Sequence, residues 1–312
     1  MKPAHLIFLL VMNVFWAASI VAYKAMSSYT YLTPGVIVTF RFGLAAICLL
    51  LLWPWLPGKG PRGRDLIKTA LMGLVVFMLG HRFQVLGVKL GSAGNSAVLM
   101  GVEPLLTSVA AALFLREHIV LRRWIGFGLG IFGVVLLNRV WEPDFQWTSV
   151  GASLIFLSSF LCEAAYSIIG KPLLERASAV KVLALALSAG TLANLAIDGS
   201  DVWNAAQQMP PSAWLMAGYL ASICTAIGYT VWSLAIRDAD VNIVAMTIFA
   251  QPVAGVALAM LWLGETLHWG QLWGCLVIAG AMLIGLWKTS TPTAFSTPPS
   301  PRADLPSRSG NV

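Results

Sequence analysis

Ten blocks of about 20 apolar residues, joined by short polar stretches, recur along this 312-residue chain. Twenty residues of helix rise about 30 Å, the thickness of a bilayer's hydrocarbon core. Only 11% of the residues are charged while 58% are hydrophobic, against roughly 25% charged in a soluble domain. Too few polar side chains remain to coat a surface facing water. The pattern reads as an all-α polytopic membrane protein with segments near 5–23, 34–53, 67–86, 93–115, 123–140, 149–170, 180–198, 212–235, 242–263 and 269–287. The first block is longer than a signal-peptide core of about 7–15 residues and nine more follow, so it reads as a helix that stays.

The cations give an orientation. The N-terminus, the joints 2–3, 4–5, 6–7 and 8–9, and the C-terminal stretch hold fifteen Lys and Arg, and the opposite joints hold only Lys24, Lys89 and Arg139. The excess puts both termini in the cytoplasm and the protein in the cytoplasmic (inner) membrane. The formal charge of +7 is therefore a topology signal, and no nucleic-acid motif accompanies it. Cys48, Cys162, Cys224 and Cys275 lie in apolar blocks without metal-ligand spacing and read as small buried hydrophobes. Most tryptophans stand at block ends, as in an interfacial belt.

Shifted by 148 residues, the chain aligns with itself: Pro104 meets Pro252, Glu117 meets Glu265, Gly126 meets Gly274 and Lys89 meets Arg237. A shift of 147 brings Ala17-Ala18 onto Ala164-Ala165 and Lys24 onto Lys171. The expected organisation is two five-helix halves, 1–140 and 149–288, followed by a disordered cytoplasmic tail over 289–312. Five is odd, so the second half enters the membrane from the other side, and the fold class is ten transmembrane helices as two inverted five-helix repeats.

The small residues followed by P-x12-E at Pro104–Glu117 and again at Pro252–Glu265 resemble the drug/metabolite transporter superfamily, specifically its EamA-type ten-helix permeases. Asn13-x-x-Trp16 with Lys24, Arg41 after Thr33-Pro34, and the stretch VLGVKLGSAGNSAVL are similar to further family signatures. The resemblance covers about 5–287 and implies export or import of amino acids, other metabolites or drugs. Two places depart from the family pattern. Ser188 stands at the offset of Arg41, and Glu163 stands where the family often has Trp.

Several chemistries are excluded. Gly128-x-Gly130-x-x-Gly133 lies inside an apolar helix, not after a strand, and reads with Gly126-x-x-x-Gly130 and Gly270-x-x-x-Gly274 as close helix packing. There is no P-loop, no H-E-x-x-H and no G-x-S-x-G, so neither an ATP-driven pump, a metal site, a cofactor site nor a serine hydrolase is expected. The informative residues are ionisable groups within segments, each costing at least ~2.5–3.5 kcal/mol at the bilayer centre. Glu103, about ten residues into its segment, and Glu163 are candidates for substrate or proton binding, with structural pairing of Glu103 to Arg41 or Arg82 equally open. Pro104 and Pro252 are expected helix breaks. Asn13, Trp16, Gln251 and Tyr229 are candidate cavity liners. Arg41, His81 and Arg82 are expected to reach the outer interface by snorkelling, with Arg41 and Arg82 kept as candidates for the site.

The expected function is a secondary transporter that moves a small metabolite, amino acid or drug outward by alternating access, coupled to protons or to solute exchange. The lipid bilayer and the solute are its expected partners, and a homodimer stays open. The alternative is a membrane-embedded receptor, scaffold or enzyme that keeps the fold without transport.

Overall fold

The structure, a computed structural model, describes residues 3–91, 96, 99–145, 147, 150–263 and 268–287, without the side chains of 259–263. The expected tail, and Glu265 of the repeat, lie outside the described residues. Every regular element among these is helical. In chain order α1 is Pro3–Met26, α2 Pro34–Leu51, α3 Arg64–Leu90, α4 Glu103–Leu115 and α5 Leu121–Leu137. Then come α6 Val150–Leu174, α7 Ala179–Gln208, α8 Pro211–Asp238, α9 over 241–263 and α10 Trp269–Leu286. Among the described residues eight of these are long and apolar enough to cross a membrane. The other two, α4 and α5, have 13 and 17 residues.

Helix ends follow local chemistry. Thr33 caps α2, its side chain accepting from the Val36 N–H, and Pro34 opens the first turn, where a missing N–H costs nothing. His268 and Gln271 form a reciprocal cap on α10. Proline reshapes α4: a turn at Gly101–Val102 precedes a helix that begins at Glu103. The Pro104 ring would clash with the carbonyl four residues back, and Pro104 has no N–H to donate to it. Glu103 thus opens its helix, where sequence placed it ten residues inside one. At the equivalent place before Pro252 the chain tightens into a 3₁₀ turn, Met246–Phe249.

Two helices carry an unexpected defect. Leu74–Gly80 in α3 and Leu220–Ile227 in α8 are π-helical, one residue wider per turn than an α-helix, as helices often are beside functional sites. Helix α7 also runs past its expected end at 198 and continues to Gln208 through a kink at Asp198.

The interior is largely apolar, as in a soluble protein, but the outer surface is apolar too, and polar groups are set within the bundle. Phe8, Leu51, Phe114, Leu121, Leu192, Leu215 and Leu283 are exposed, while Asn13, Arg41, His81, Thr225, Asn242 and Thr247 are buried. Hydrocarbon covers the first set at no cost and offers no hydrogen bond to the second. Cys48 is exposed, against the expectation of burial, because an apolar solvent accepts it; Cys224 is buried, and all four cysteines are free.

The joints expected on one side do gather at one end of the bundle. His5 Nδ1 lies 3.6 Å from Asp238 Oδ2, Glu117 accepts from the Val241 N–H at 2.8 Å, Lys171 reaches Glu117, and the Ser178 N–H donates to Lys59 O.

Glycine faces let α5 and α10 touch. A Cβ on Gly274 would stand 2.6 Å from Leu137 N and 2.7 Å from Gly133 O, backbone atoms that cannot turn aside. Gly274→Ala is therefore expected to cost about 1–3 kcal/mol of stability in detergent melts. Gly280→Ala, on the same helix with nothing within 4 Å, should melt at or slightly above wild type through its better helix propensity.

Candidate functional site

One cavity lies between the halves of the sequence, with about 660 Å³ of space unfilled by atoms, its mouth included. Helices α1, α2, α3, α4, α6, α8 and α9 all contribute to it. Six of the candidate residues line it: Trp16, Arg41, Glu103, Glu163, Tyr229 and Gln251. His81, Gln84, Tyr166 and Trp232 join them.

Nearly every lining position is used twice. Under the shifts of 147 and 148 residues, Trp16 corresponds to Glu163, Ser19 to Tyr166 and Ile20 to Ser167. His81 corresponds to Tyr229, Gln84 to Trp232, Met100 to Ile248 and Glu103 to Gln251. All fourteen line this cavity, and among the described lining residues Arg41 and Thr107 alone lack a lining counterpart. His81 and Tyr229 even bond to one another, Nε2 to OH at 3.2 Å.

The polar groups are held in defined ways. His81 Nδ1 stands 2.9 Å from Val76 O within the π-helical turn, so this nitrogen carries a proton, and Nε2 lies 3.2 Å from the Tyr229 hydroxyl. Glu163 Oε1 accepts from Gln84 Nε2 at 2.7 Å and lies 3.8 Å from His81 Nε2. Arg41 is only 3% exposed. Its Nε donates to Thr225 Oγ1 at 2.9 Å and its Nη1 to the Tyr23 hydroxyl, with the guanidinium 5.1–5.4 Å from the Phe42 and Tyr23 ring centres. Arg41 and His81 therefore do not snorkel, because protein partners satisfy them inside the bundle.

Two candidates are not in the lining. Arg82 turns away to Asn194 Oδ1 at 2.6 Å and to Asp198, since α7 carries that carboxylate into the bundle at its kink. Its partner is thus neither interface water nor Glu103. Asn13 stands one layer behind, donating to Leu9 O at 2.8 Å and accepting from Gln251 Nε2 at 2.9 Å. The aromatic groups have their polar atoms occupied. Trp16 Nε1 donates to Cys224 O at 2.8 Å and Trp232 Nε1 to Ser167 Oγ at 3.0 Å, and the Trp16 ring packs 6.0–6.1 Å from those of Trp232 and Tyr229. Among the described residues no group of His, Cys, Asp and Glu is placed to hold a metal.

Equivalent lysines close the ends of α3 and α8. Lys24 Nζ donates to Val88 O and Gly91 O at 3.1 and 3.0 Å. Lys171 Nζ donates to Ala239 O at 2.9 Å and to Glu117 Oε1 at 2.7 Å. Cations suit helix C-termini. Glu117 also accepts from the Val241 and Asn242 N–H groups and the Asn242 side chain, joining the end of α4 to the α8–α9 joint.

A sequence model of the EamA-like transporter family matches residues 4–139 and again 150–286. The chain belongs to the EamA-like transporter family. An uncharacterized transporter of Bacillus subtilis is 24% identical over 271 residues, 86% of each chain. A probable terminal-alkyne amino-acid exporter of Streptantibioticus cattleyicolor is 28% identical over 262 residues, 83% of this chain and 86% of that one. An uncharacterized inner membrane transporter of Escherichia coli is 29% identical over 243 residues, 75% of both. A solved crystal structure with 15% identity superposes with a TM-score of 0.70, covering 91% of this chain and 96% of that one, a likeness of fold. This EamA-family chain is a multi-pass membrane transporter, and the fourteen paired lining positions fall within its two family matches.

Missed by sequence reasoning were Gln84 and Trp232 as cavity residues, and the role of His81. The repeat itself held the signal, since Gln84 and Trp232 stand 148 residues apart.

The Glu117 cluster yields a pH-dependent expectation. Burial alone would raise this carboxyl, but the Lys171 ammonium and the Val241 and Asn242 N–H groups outweigh it and hold the group below the usual carboxylate range. A depressed value in the fold contributes stability above the ordinary carboxylate range and loses it as pH falls through the folded value. Glu117→Gln should lower stability by about 1–3 kcal/mol at neutral pH. In detergent melts, the gap between variant and wild type should narrow as the pH is taken down toward about 3.

Proposed function

We propose that this EamA-family chain is a secondary transporter working by alternating access, exporting a small amphipathic solute of amino-acid, metabolite or drug type across the cytoplasmic membrane. The observation that carries the reading is the cavity whose lining positions come in repeat-related pairs. A solute held there lies between two copies of one structural unit, and tilting the copies against each other would change the side from which it is reached. In this reading the halves 1–140 and 149–288 are inverted repeats, α1 to α10 all span the bilayer, and both termini face the cytoplasm. The relatives named as an amino-acid exporter and an inner membrane transporter support the direction and the membrane.

Glu103 is the proposed coupling group. It opens α4 beside the proline-made break, lines the cavity, and shares it with Glu163, His81, Arg41, Tyr166 and Tyr229. Its equivalent in the second half, Gln251, cannot titrate, so the pair holds one exchangeable proton.

Counterflow in sealed proteoliposomes tests transport, and no solute uptake above protein-free vesicles would leave a receptor, scaffold or enzyme. Glu103→Gln should insert and melt close to wild type. It is expected to lose accumulation driven by a pH gradient by about tenfold or more while keeping substrate-for-substrate exchange. Retained pH-driven accumulation per folded molecule would move the coupling role to Glu163. Orientation has its own test: a reporter fused after Lys288 that is active only inside the cell should be active, and activity of an outside-only reporter there would refute the inverted arrangement.

A further inference from the structure

We infer that the cavity selects an amphipathic organic cation, a protonated amine carried on an apolar, ring-sized body. The inference rests on the transport reading for what becomes of the solute, and on the cavity alone for what binds.

Four of the paired positions have split into one aromatic and one polar member: Trp16 against Glu163, Tyr166 against Ser19, Tyr229 against His81, and Trp232 against Gln84. Three of the four aromatic members come from α1 and α8, with their polar counterparts on α3 and α6; the fourth, Tyr166 on α6, packs its ring 5.1 Å from that of Tyr229 and extends the same surface. One wall is thus a continuous aromatic surface, with Trp16 contacting both Tyr229 and Trp232. Their N–H and O–H groups are already bonded within the protein. What this wall offers a solute is ring faces, which attract apolar groups and cations.

The rest of the lining offers carboxylates. Glu103 and Glu163 both line the cavity, and among the described residues neither has a Lys or Arg within 4.0 Å. Among the described residues the Asp and Glu salt bridges to Lys or Arg lie elsewhere, at Asp65, Glu117, Glu142, Asp198, Asp238 and Asp240. Arg41 is the one cation in the lining, tied to Tyr23 and Thr225 rather than to a carboxylate. With both carboxylates ionised and His81 neutral, the state in which Glu103 has released its proton, the lining carries one negative charge in excess. A monocation cancels it, a zwitterion leaves it unchanged, and an anion doubles it. Buried charge left unbalanced is expensive, so the order of preference is amine, then zwitterion, then acid.

The test compares five probes on the purified full chain: 2-phenylethylamine, ethylamine, 2-phenylethanol, phenylalanine and 3-phenylpropanoate. Each competes with radiolabelled 2-phenylethylamine in detergent. The expected result is saturable amine binding. Phenylalanine, ethylamine and phenylethanol should each be at least about tenfold weaker, which is about 1.4 kcal/mol, and phenylpropanoate should not compete. Glu163→Gln, which can keep its bond to Gln84, should weaken the amine by about tenfold or more at an unchanged melting temperature. Absence of amine binding, competition by the acid or the zwitterion equal to the amine's, or an unaffected Glu163→Gln would each overturn the inference. Counterflow separates this inference from the transport reading. Amine bound without counterflow upholds the site and refutes transport, whereas counterflow of phenylalanine without amine binding upholds transport and refutes the site.

Discussion

Hydrocarbon makes no hydrogen bonds, and the design of this protein follows from that one property of its solvent. A polar group carried into the bundle is costly unless it finds a partner, on its own helix as Thr39 and Ser108 do or on another, or faces the cavity. Arg41 is the clearest case. Its guanidinium reaches Tyr23 on α1 and Thr225 in the π-helical turn of α8, so a single side chain on α2 ties three helices together. Asn13, Thr247 and Gln251 tie α1 to α9 in the same manner, and Arg82 with Asn194 and Asp198 ties α3 to α7. The apolar residues do not need this organisation, since lipid accepts them on any face. Polar residues set the register, and apolar ones fill it.

Helix irregularities sit where the polar groups need them. Each π-helical turn places a side chain against a carbonyl five residues earlier: His81 at Val76 O and Thr225 at Leu220 O. Each proline break leaves a carboxylate or an amide, Glu103 or Gln251, at a helix start facing the cavity. A regular α-helix would keep these backbone groups to itself. The cavity is therefore framed by defects that occur at matching places in the two copies.

Most of the spans were legible from apolar block length alone, and the tandem organisation from Pro104 and Pro252, because proline acts on backbone whatever surrounds it. Glu103, Glu163 and Gln251 were legible as cavity candidates because a charge or amide in hydrocarbon demands a reason, and Trp16 and Tyr229 because they stand mid-helix, away from the interfacial belt. The π-helical turns were not, since LVVFMLG and LASICTAI are ordinary apolar strings and the extra residue is accommodated by tertiary packing. His81 and Arg41 were misplaced at the interface because distance from a segment's end says nothing about partners on other helices. Arg82 was misassigned for a related reason. Its partner Asp198 was expected at the end of a helix, in water, and instead lies at a kink with ten further helical residues beyond it.

The split pairs have a consequence for what a single polypeptide can encode. In an assembly of two identical five-helix chains, one codon would write both walls, and Trp16 could not face a glutamate unless every tryptophan at that place were also a glutamate. With both copies in one chain, each position can be rewritten without its counterpart. Symmetry then survives in the backbone, where both copies keep the same helix breaks, and is abandoned in the side chains, where the two ends of one cavity can differ in chemistry.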